Sequence, residues 1–317
     1  MSQLKCIVCS KDEPLQLRHQ CSHRPAKGYS LYYCSKCGCG RTDPFPEQEE
    51  VNKLYSTTTY RADQGIRFIK PMEVLVRQFR RQRWQRIRQY IPKGSLLDVG
   101  CAGGYFLDFL REKGWKVAGV EVNEAMARHA REHYGIDVRS EGLEKAAFPS
   151  ESFDVVTIYH VLEHIPNPDQ TLQECYRILR PGGLLVIAVP NSESWQASAT
   201  GSKWFHLDVP HHLHHFSARG LKALVNQNGF NTKRIRHFSL EQNPIGWLQS
   251  CLNRMGLEYN MLYDFLKTKQ LRRSFSWALI PTILSLPITI PVSIIAAGLE
   301  ASAKGGGTIE LYALKQK

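Results

Sequence analysis

Between Leu96 and Pro190, short apolar runs alternate with helical patterns, and this alternation constrains the fold more than any other feature. Leu96–Val99, Lys116–Val122, Phe153–His160 and Gly183–Pro190 read as buried strands, with helices at Phe106–Lys113, Ala125–Tyr134 and Asp169–Leu179 between them. Parallel neighbours need a crossover, and a helix is the usual one, so the pattern predicts a parallel sheet with helices on both faces. Ligands of such sheets bind at the carboxyl ends of the strands, near the switch in strand order.

The first strand runs into a glycine-rich turn, Leu96-Leu-Asp98-Val-Gly100-Cys-Ala-Gly103-Gly104-Tyr105. Such a turn lets a ligand press against backbone and aims helix N–H groups at a carboxylate or phosphate. It is not the dinucleotide fingerprint G-x-G-x-x-G, because Ala102 and Tyr105 stand at the second and third glycine positions. What the chain keeps is an acid at the end of the second strand. Glu121 follows Gly100 by 21 residues, where a carboxylate can accept both hydroxyls of one ribose. One nucleoside with a carboxylate tail is implied, and S-adenosylmethionine (SAM) fits that description.

Six of the nine cysteines lie in the first 39 residues. Cys6-Ile-Val-Cys9 and Cys34-Ser-Lys-Cys37 are C-x2-C pairs with 24 residues between them, a spacing that lets two tight turns close one tetrahedral zinc site. With the strand-like run Tyr29–Tyr33 before the second pair, residues 1–45 read as a zinc-ribbon-like module. Four thiolates leave no open coordination position, which favours structural Zn2+ over catalytic zinc. Cys21, Cys39, His19 and His23 are spare donors with no assigned role. The opening Met-Ser-Gln-Leu-Lys-Cys has no apolar h-region, so a cytoplasmic, reducing setting is expected.

Lys and Arg outnumber Asp and Glu by 41 to 29, and ten of the twelve surplus charges fall in residues 1–95. An anionic partner for the front end follows: nucleic acid, a phosphorylated substrate or a membrane surface. Residues 46–91 form a linker with Glu47, Glu49 and Glu50, a polar Tyr55…Tyr60 stretch, and a helical pattern over Glu73–Ile91. Met72, Leu75, Val76, Phe79, Ile87 and Tyr90 share one face of it, interrupted by Arg83. Six arginines between Arg77 and Arg88 read either as a solvated face or as an anion-facing one.

Leu96–Gly104 resembles the first motif of the SAM-dependent methyltransferases with a seven-stranded sheet, and Gly119-Val-Glu121 the second. Phe153-Asp-Val-Val156 with Tyr159-His-Val-Leu-Glu-His164 is similar to their strand-four motif, and Leu179-Arg-Pro-Gly-Gly-Leu184 to the turn before strand five. The resemblance covers about 140 residues and implies an α/β, Rossmann-like fold whose last strand is Thr308–Leu314. It implies a cofactor-binding set of Asp98, Gly100, Cys101, Ala102, Gly103, Glu121, Val122, Leu143 and His160, with the glycine turn on the methionine part, Glu121 on the ribose and Leu143 near the adenine. Ala102 departs from the glycine common in the family. The four-cysteine module, the proline-rich link and the block Trp204–Ser217 are similar to sugar C-methyltransferases and their relatives in surface-polysaccharide pathways. There, a histidine four residues before Phe-Ser, matching His212, is associated with proton abstraction.

Five histidines fall within ten residues: His206, His211, His212, His214 and His215. Packing or capping accounts for most of them, with Ser217 as an N-cap, and a second metal site would lack paired acids or cysteines nearby. One imidazole near the acceptor can take a proton at neutral pH. His212 is the first candidate base, His215 the second, with His160, Glu163 and His164 on the same rim and His164 the third candidate.

Ser276–Leu299 is 24 residues without a charge, after Arg272 and Arg273. Its length suits a membrane span, but Pro281, Pro287 and Pro291 are expected to cut it into short pieces, and a single crossing would part the last strand from its sheet. Residues 241–307 therefore read as an apolar insertion before that strand, either touching a membrane, with Trp247, Tyr259, Tyr263 and Trp277 at the interface, or covering the acceptor as a lid. Residues 92–240 with 308–317 form the methyltransferase domain. The expected activity is methyl transfer from SAM to a small sugar-like or lipid-linked acceptor, with an anionic membrane surface as partner and a peripheral location on the inner face of the membrane. RNA methylation by the basic, zinc-bearing front end ranks second, since no interleaved aromatic and basic residues appear. A SAM-binding scaffold without catalysis ranks third.

Overall fold

The computed structural model describes residues 4–21, 28–46, 70–263 and 279–316. The sequence features at His23, Glu47, Glu49, Glu50, Tyr55, Tyr60, Arg272, Arg273, Ser276 and Trp277 lie outside them, as do the side chains of Met72, Glu73 and Leu75. Two compact units emerge, and they cut across the segmental division drawn from sequence. One comprises Pro46–Val189, Lys222–Ile235 and Leu311–Lys317; the other joins Met1–Phe45 to Pro190–Leu221 and Arg236–Glu310.

The first unit is built on a seven-stranded sheet. Across it the strands run in the order Phe230–Arg236, Thr308–Lys315, Leu179–Pro190, Phe153–Tyr159, Ser95–Val99, Lys116–Val120 and Asp137–Arg139. The last five pair in parallel, with Leu97 beside Ala118 and Val156. Adjacent residues such as Leu96 and Leu97, or Val155 and Val156, are all fully buried, because helices cover both faces. Tyr105–Glu112 buries Phe106, Leu107, Phe109 and Leu110. The next helix, Glu124–Tyr134, starts at Asn123, whose side chain accepts from the Met126 amide, and ends at Gly135 in the left-handed region. Tyr312 of the Thr308–Lys315 strand is fully buried and stacks on Tyr90 at 5.5 Å between ring centroids. The basic helix spans Lys70–Ile87, ending four residues before the sequence boundary.

The second unit carries a hairpin, Lys5–Cys6 with Ser10–Pro14, and a four-stranded antiparallel sheet. That sheet runs His214–His215, Gly40–Asp43, Ser30–Tyr33, Gln16–Gln20, so two residues of the histidine-rich block form an edge strand on the cysteine module. Its core collects Cys21, Leu31, Tyr33, Trp204, Leu207 and Val209. Asn243–Arg254 and Leu279–Ser302 are helices whose side chains meet around Leu248, Leu252, Leu262 and Leu286. Gly306 is obligatory where the chain leaves the second helix, since a Cβ there would lie 1.6 Å from the His237 carbonyl oxygen.

The long helix corrects the sequence reading of short pieces. It runs unbroken for 24 residues, about 36 Å, through Pro287 and Pro291. Pro281 is the third residue of the helix as described. Pro287 and Pro291 are one turn apart on the exposed face, so the lost bonds fall on one side while the docked side keeps its ladder. Thr282, Ser293, Ala297 and Glu300 are buried along nearly its whole length, so the helix lies against its own unit rather than projecting from it.

Replacing Tyr312 by Ala should lower stability by about 3–5 kcal/mol, the range for emptying a large buried aromatic site. The check is a urea titration in which the midpoint falls and the slope is unchanged.

Candidate active site

At the carboxyl end of Ser95–Val99 the chain turns sharply. Gly100 has φ +73°, and a Cβ there would lie 2.3 Å from Cγ2 of Val161, so no other residue fits without displacement. Its amide and that of Cys101 both donate to the carbonyl of Val120, at 2.8 and 3.1 Å. Ala102 follows with φ +47°, a left-handed conformation that costs an alanine about 1 kcal/mol. In return its amide turns away from the strand and donates to Oε2 of Glu121 at 2.9 Å. The Asn123 amide donates to Oε1 at the same distance. Each Glu121 oxygen therefore holds one amide and keeps a lone pair, which suits a carboxylate that must accept two neighbouring hydroxyls. Burial pushes its pKa up, against the pull of the two amide bonds.

The other members of the cofactor set take distinct positions. Val122, beside Glu121, is 58% exposed, a bare apolar surface at the strand end. Leu143 turns its side chain into the core, leaving its backbone for any contact with a base. The Gly103 carbonyl is 3.2 Å from Nδ1 of His129. Asp98 is buried and accepts from the Thr157 hydroxyl at 2.6 Å. Desolvation raises its pKa to about 6, while Thr157 and then Arg83 pull it down. His160 follows Phe153–Tyr159 in the left-handed region, its amide on the Ala188 carbonyl and its ring 3.6 Å from the Glu163 carboxylate. His164 closes the short 3-10 turn Leu162–His164.

Two groups of this end were missed in the sequence. Arg83, which interrupts the apolar helix face, lies 4.3 Å over the ring of Tyr159, and Arg80 lies 5.3 Å over Tyr105. The signal was present: a charge in an otherwise apolar stripe has to meet something buried. The site as a whole fits the nucleoside and amino-acid parts of SAM, with Glu121 for the ribose and the turn at 100–103, left-handed at Gly100 and Ala102, for close approach.

In the second unit the histidines separate by their partners. His206 Nε2 is 3.4 Å from the Gln242 carbonyl, and His211 Nδ1 is 3.2 Å from Asp208. His214 packs between Phe45 and Phe216. The Thr42 hydroxyl donates to the His212 carbonyl at 2.6 Å, so its 3.0 Å contact with His215 must be donated by Nε2 of that ring. His215 thus holds the loop. His212 is 7% exposed, and its Nδ1 lies 2.9 Å from the His206 carbonyl. A carbonyl only accepts, so the proton of the neutral ring sits on Nδ1 and Nε2 bears the lone pair, with Asp208 4.0 Å from it.

The sulfurs of Cys6, Cys9, Cys34 and Cys37 all lie within 4.8 Å of one another. Cys6–Cys37 and Cys34–Cys9 are 3.4 and 3.7 Å apart, close to the edge of about 3.8 Å that a tetrahedron with Zn–S of about 2.3 Å requires. Burial raises the Cys9 thiol to about 11. Such crowded sulfurs are a donor set suited to a cation. Cys21 sits among apolar side chains and Cys39 beneath Gly220, and neither joins the cluster. His19 is half-buried, its pKa lowered by desolvation, and it too lies outside the four-sulfur group.

A family model described as a methyltransferase domain matches residues 76–234. A Mycolicibacterium smegmatis chain named probable S-adenosylmethionine-dependent methyltransferase is 30% identical over 151 residues, 47% of this chain and 57% of that one, so less than two thirds of its length is covered. A ubiquinone biosynthesis O-methyltransferase of Pseudomonas paraeruginosa is 30% identical over 192 residues, 56% of this chain and 82% of that one. A methyltransferase structure from Galdieria sulphuraria shares the fold, with a TM-score of 0.52 at 16% identity over 78% of this chain and 91% of that one.

Glu121→Ala should weaken SAM binding by about 1.5–3 kcal/mol, the worth of hydrogen bonds to a charged group, in calorimetry near neutral pH. Because the folded pKa of Glu121 is raised, the wild-type affinity should fall with decreasing pH from above the ordinary carboxylate range, and the variant should lose that dependence.

Cys34→Ser should drop bound zinc from one equivalent to well below it in metal analysis of reduced protein, with a lower melting temperature.

Proposed function

Since the chain belongs to the S-adenosylmethionine-dependent methyltransferases, we propose that it methylates a small sugar-like or lipid-linked acceptor, with His212 taking the acceptor proton. When bound, SAM supplies a methyl group on a positively charged sulfur. The protein contributes position and proton control. Glu121 fixes the nucleoside through its ribose, and the turn at 100–103 admits the amino-acid end against backbone. His212 takes the proton at Nε2 while the His206 carbonyl keeps Nδ1 protonated and Asp208 favours the resulting imidazolium. The observation that carries this reading is that fixed tautomer: of the five clustered rings, His212 has its donor nitrogen committed to a carbonyl and its other nitrogen toward a carboxylate.

Zinc in this proposal is structural, held by Cys6, Cys9, Cys34 and Cys37, and it keeps the module rigid beneath the histidine strand. The RNA reading loses support from the basic helix. Arg80 and Arg83 stack on tyrosines, Arg88 on Trp84, and Arg86 is buried, which leaves few of the six arginines for phosphates. A cytoplasmic protein seated on an anionic membrane surface accords with the long helix, whose outer face presents Ile283, Leu284, Ile288, Ile295 and Leu299.

His212→Ala should leave SAM affinity unchanged and lower turnover about 10²–10⁴-fold, the usual share of a general base. His215→Ala should instead lower the melting temperature. Equal loss of turnover in both, with stability intact, would move the base to His215.

A further inference from the structure

Beside the outer face of the long helix runs a groove of about 420 Å³, within the range of about 300–1,000 Å³ typical of small-molecule sites. Trp247, Cys251 and Met255 form one wall, Ile288 and Val292 the other. Its surface is almost wholly apolar, and Arg254 is its one charged lining residue. That guanidinium is exposed and has no acidic partner among the described residues. Thr289, also on the wall, turns its hydroxyl back to the Ser285 carbonyl at 2.9 Å, which hides the polar atom from the groove.

We propose that this groove binds the hydrocarbon chain of a phosphate-bearing lipid, with Arg254 on the phosphate. Three observations select that occupant. The helix forming one wall also shows large apolar residues on its outer side from Ile280 to Leu299, and a bilayer is the surrounding that covers such a face. It is long and apolar enough, by length and composition, to cross a membrane, yet it is docked along its own unit, which leaves it lying in the membrane surface with the groove beside it. A single cation at an apolar slot matches an anionic head on an apolar chain, and guanidinium binds phosphate in bidentate fashion. The inference deepens the lipid-linked acceptor and relies on the membrane seat proposed above. It assigns a site for the lipid part of that acceptor.

The test uses the full chain and dodecyl phosphate carrying a diazirine at the chain end, below its micelle threshold. Photolabelling should concentrate on residues 247–255 and 288–292. Unlabelled dodecyl phosphate should compete, and inorganic phosphate should not. Arg254→Gln should weaken competition by dodecyl phosphate about tenfold, the loss of one charge-assisted contact, and leave competition by dodecanol unchanged. Thr289→Trp, which fills the groove, should abolish labelling while the variant still sediments with phosphatidylglycerol vesicles and binds SAM. Labelling spread over Ile283, Leu284, Ile295 and Leu299, or undiminished in Thr289→Trp, would overturn the groove. Absence of vesicle binding by the wild type, with groove labelling intact, would overturn only the membrane seat. Loss of methyl transfer to every acceptor tried would strike the activity without touching either.

Discussion

One carbonyl organises the cofactor end of the sheet. The Val120 oxygen accepts from both Gly100 and Cys101, so the first strand cannot run on and must turn beneath the second. The turn needs two left-handed residues close together, Gly100 and Ala102. Only the first must be glycine, because only there does a neighbour, Val161, occupy the space of a Cβ. Ala102 tolerates its strain because its amide thereby reaches Glu121, one residue beyond the carbonyl that began the turn. Strand pairing, turn and the Glu121 carboxylate are thus one hydrogen-bonded device, with the strain localised at Ala102.

A comparable economy ties the histidine block to the cysteine module within the second unit. His214 and His215 pair with Gly40 and Arg41, and Thr42 clasps both the His212 carbonyl and the His215 ring. Ser217 donates to the carbonyl of Cys37, one of the four clustered cysteines, while accepting from the Gly220 amide as cap of the following helix. Ser192 donates to the Gly38 carbonyl. With the proposed zinc in place, a module too small to hold itself by apolar burial would be a rigid base for a loop that has little regular structure of its own.

How much of this was legible in the sequence depends on the kind of force involved. The parallel strands and their helices were readable, because runs such as Leu184–Val189 must be buried whatever surrounds them. The edge strands Asp137–Arg139 and Phe230–Arg236 were not, since a short or polar run is a strand only by virtue of its neighbour. Glu121 and the paired cysteines stood out by spacing, whereas the distinction between His212 and His215 lies in which atom of Thr42 is already committed, and no spacing encodes that. Proline misled most. Rules for a helix interior assume that every turn matters equally, yet Pro287 and Pro291 share the face that is not docked.

That undocked face bears on the energetics of the proposed membrane seat. Nine large aliphatic residues between Ile280 and Leu299 are exposed, and each contributes about 1.5–3 kcal/mol when fully removed from water. Even at half that value, the face as a whole gains on the order of 10 kcal/mol on entering an apolar phase, a gain of the same order as the roughly 4–15 kcal/mol that association costs. The polar atoms of the helix do not oppose this, because Ser285, Thr289 and Ser293 each return a hydroxyl to a carbonyl of the same helix. Full crossing is opposed by the buried row from Thr282 to Glu300, which holds two polar partners of the Glu300 carboxylate, Gln196 and Trp247, against the same helix. Pulling that row into lipid would strip a carboxylate of its hydrogen bonds, a cost of several kcal/mol. An apolar outer face and a polar clamp on the inner one together favour an orientation in the plane of the membrane rather than through it.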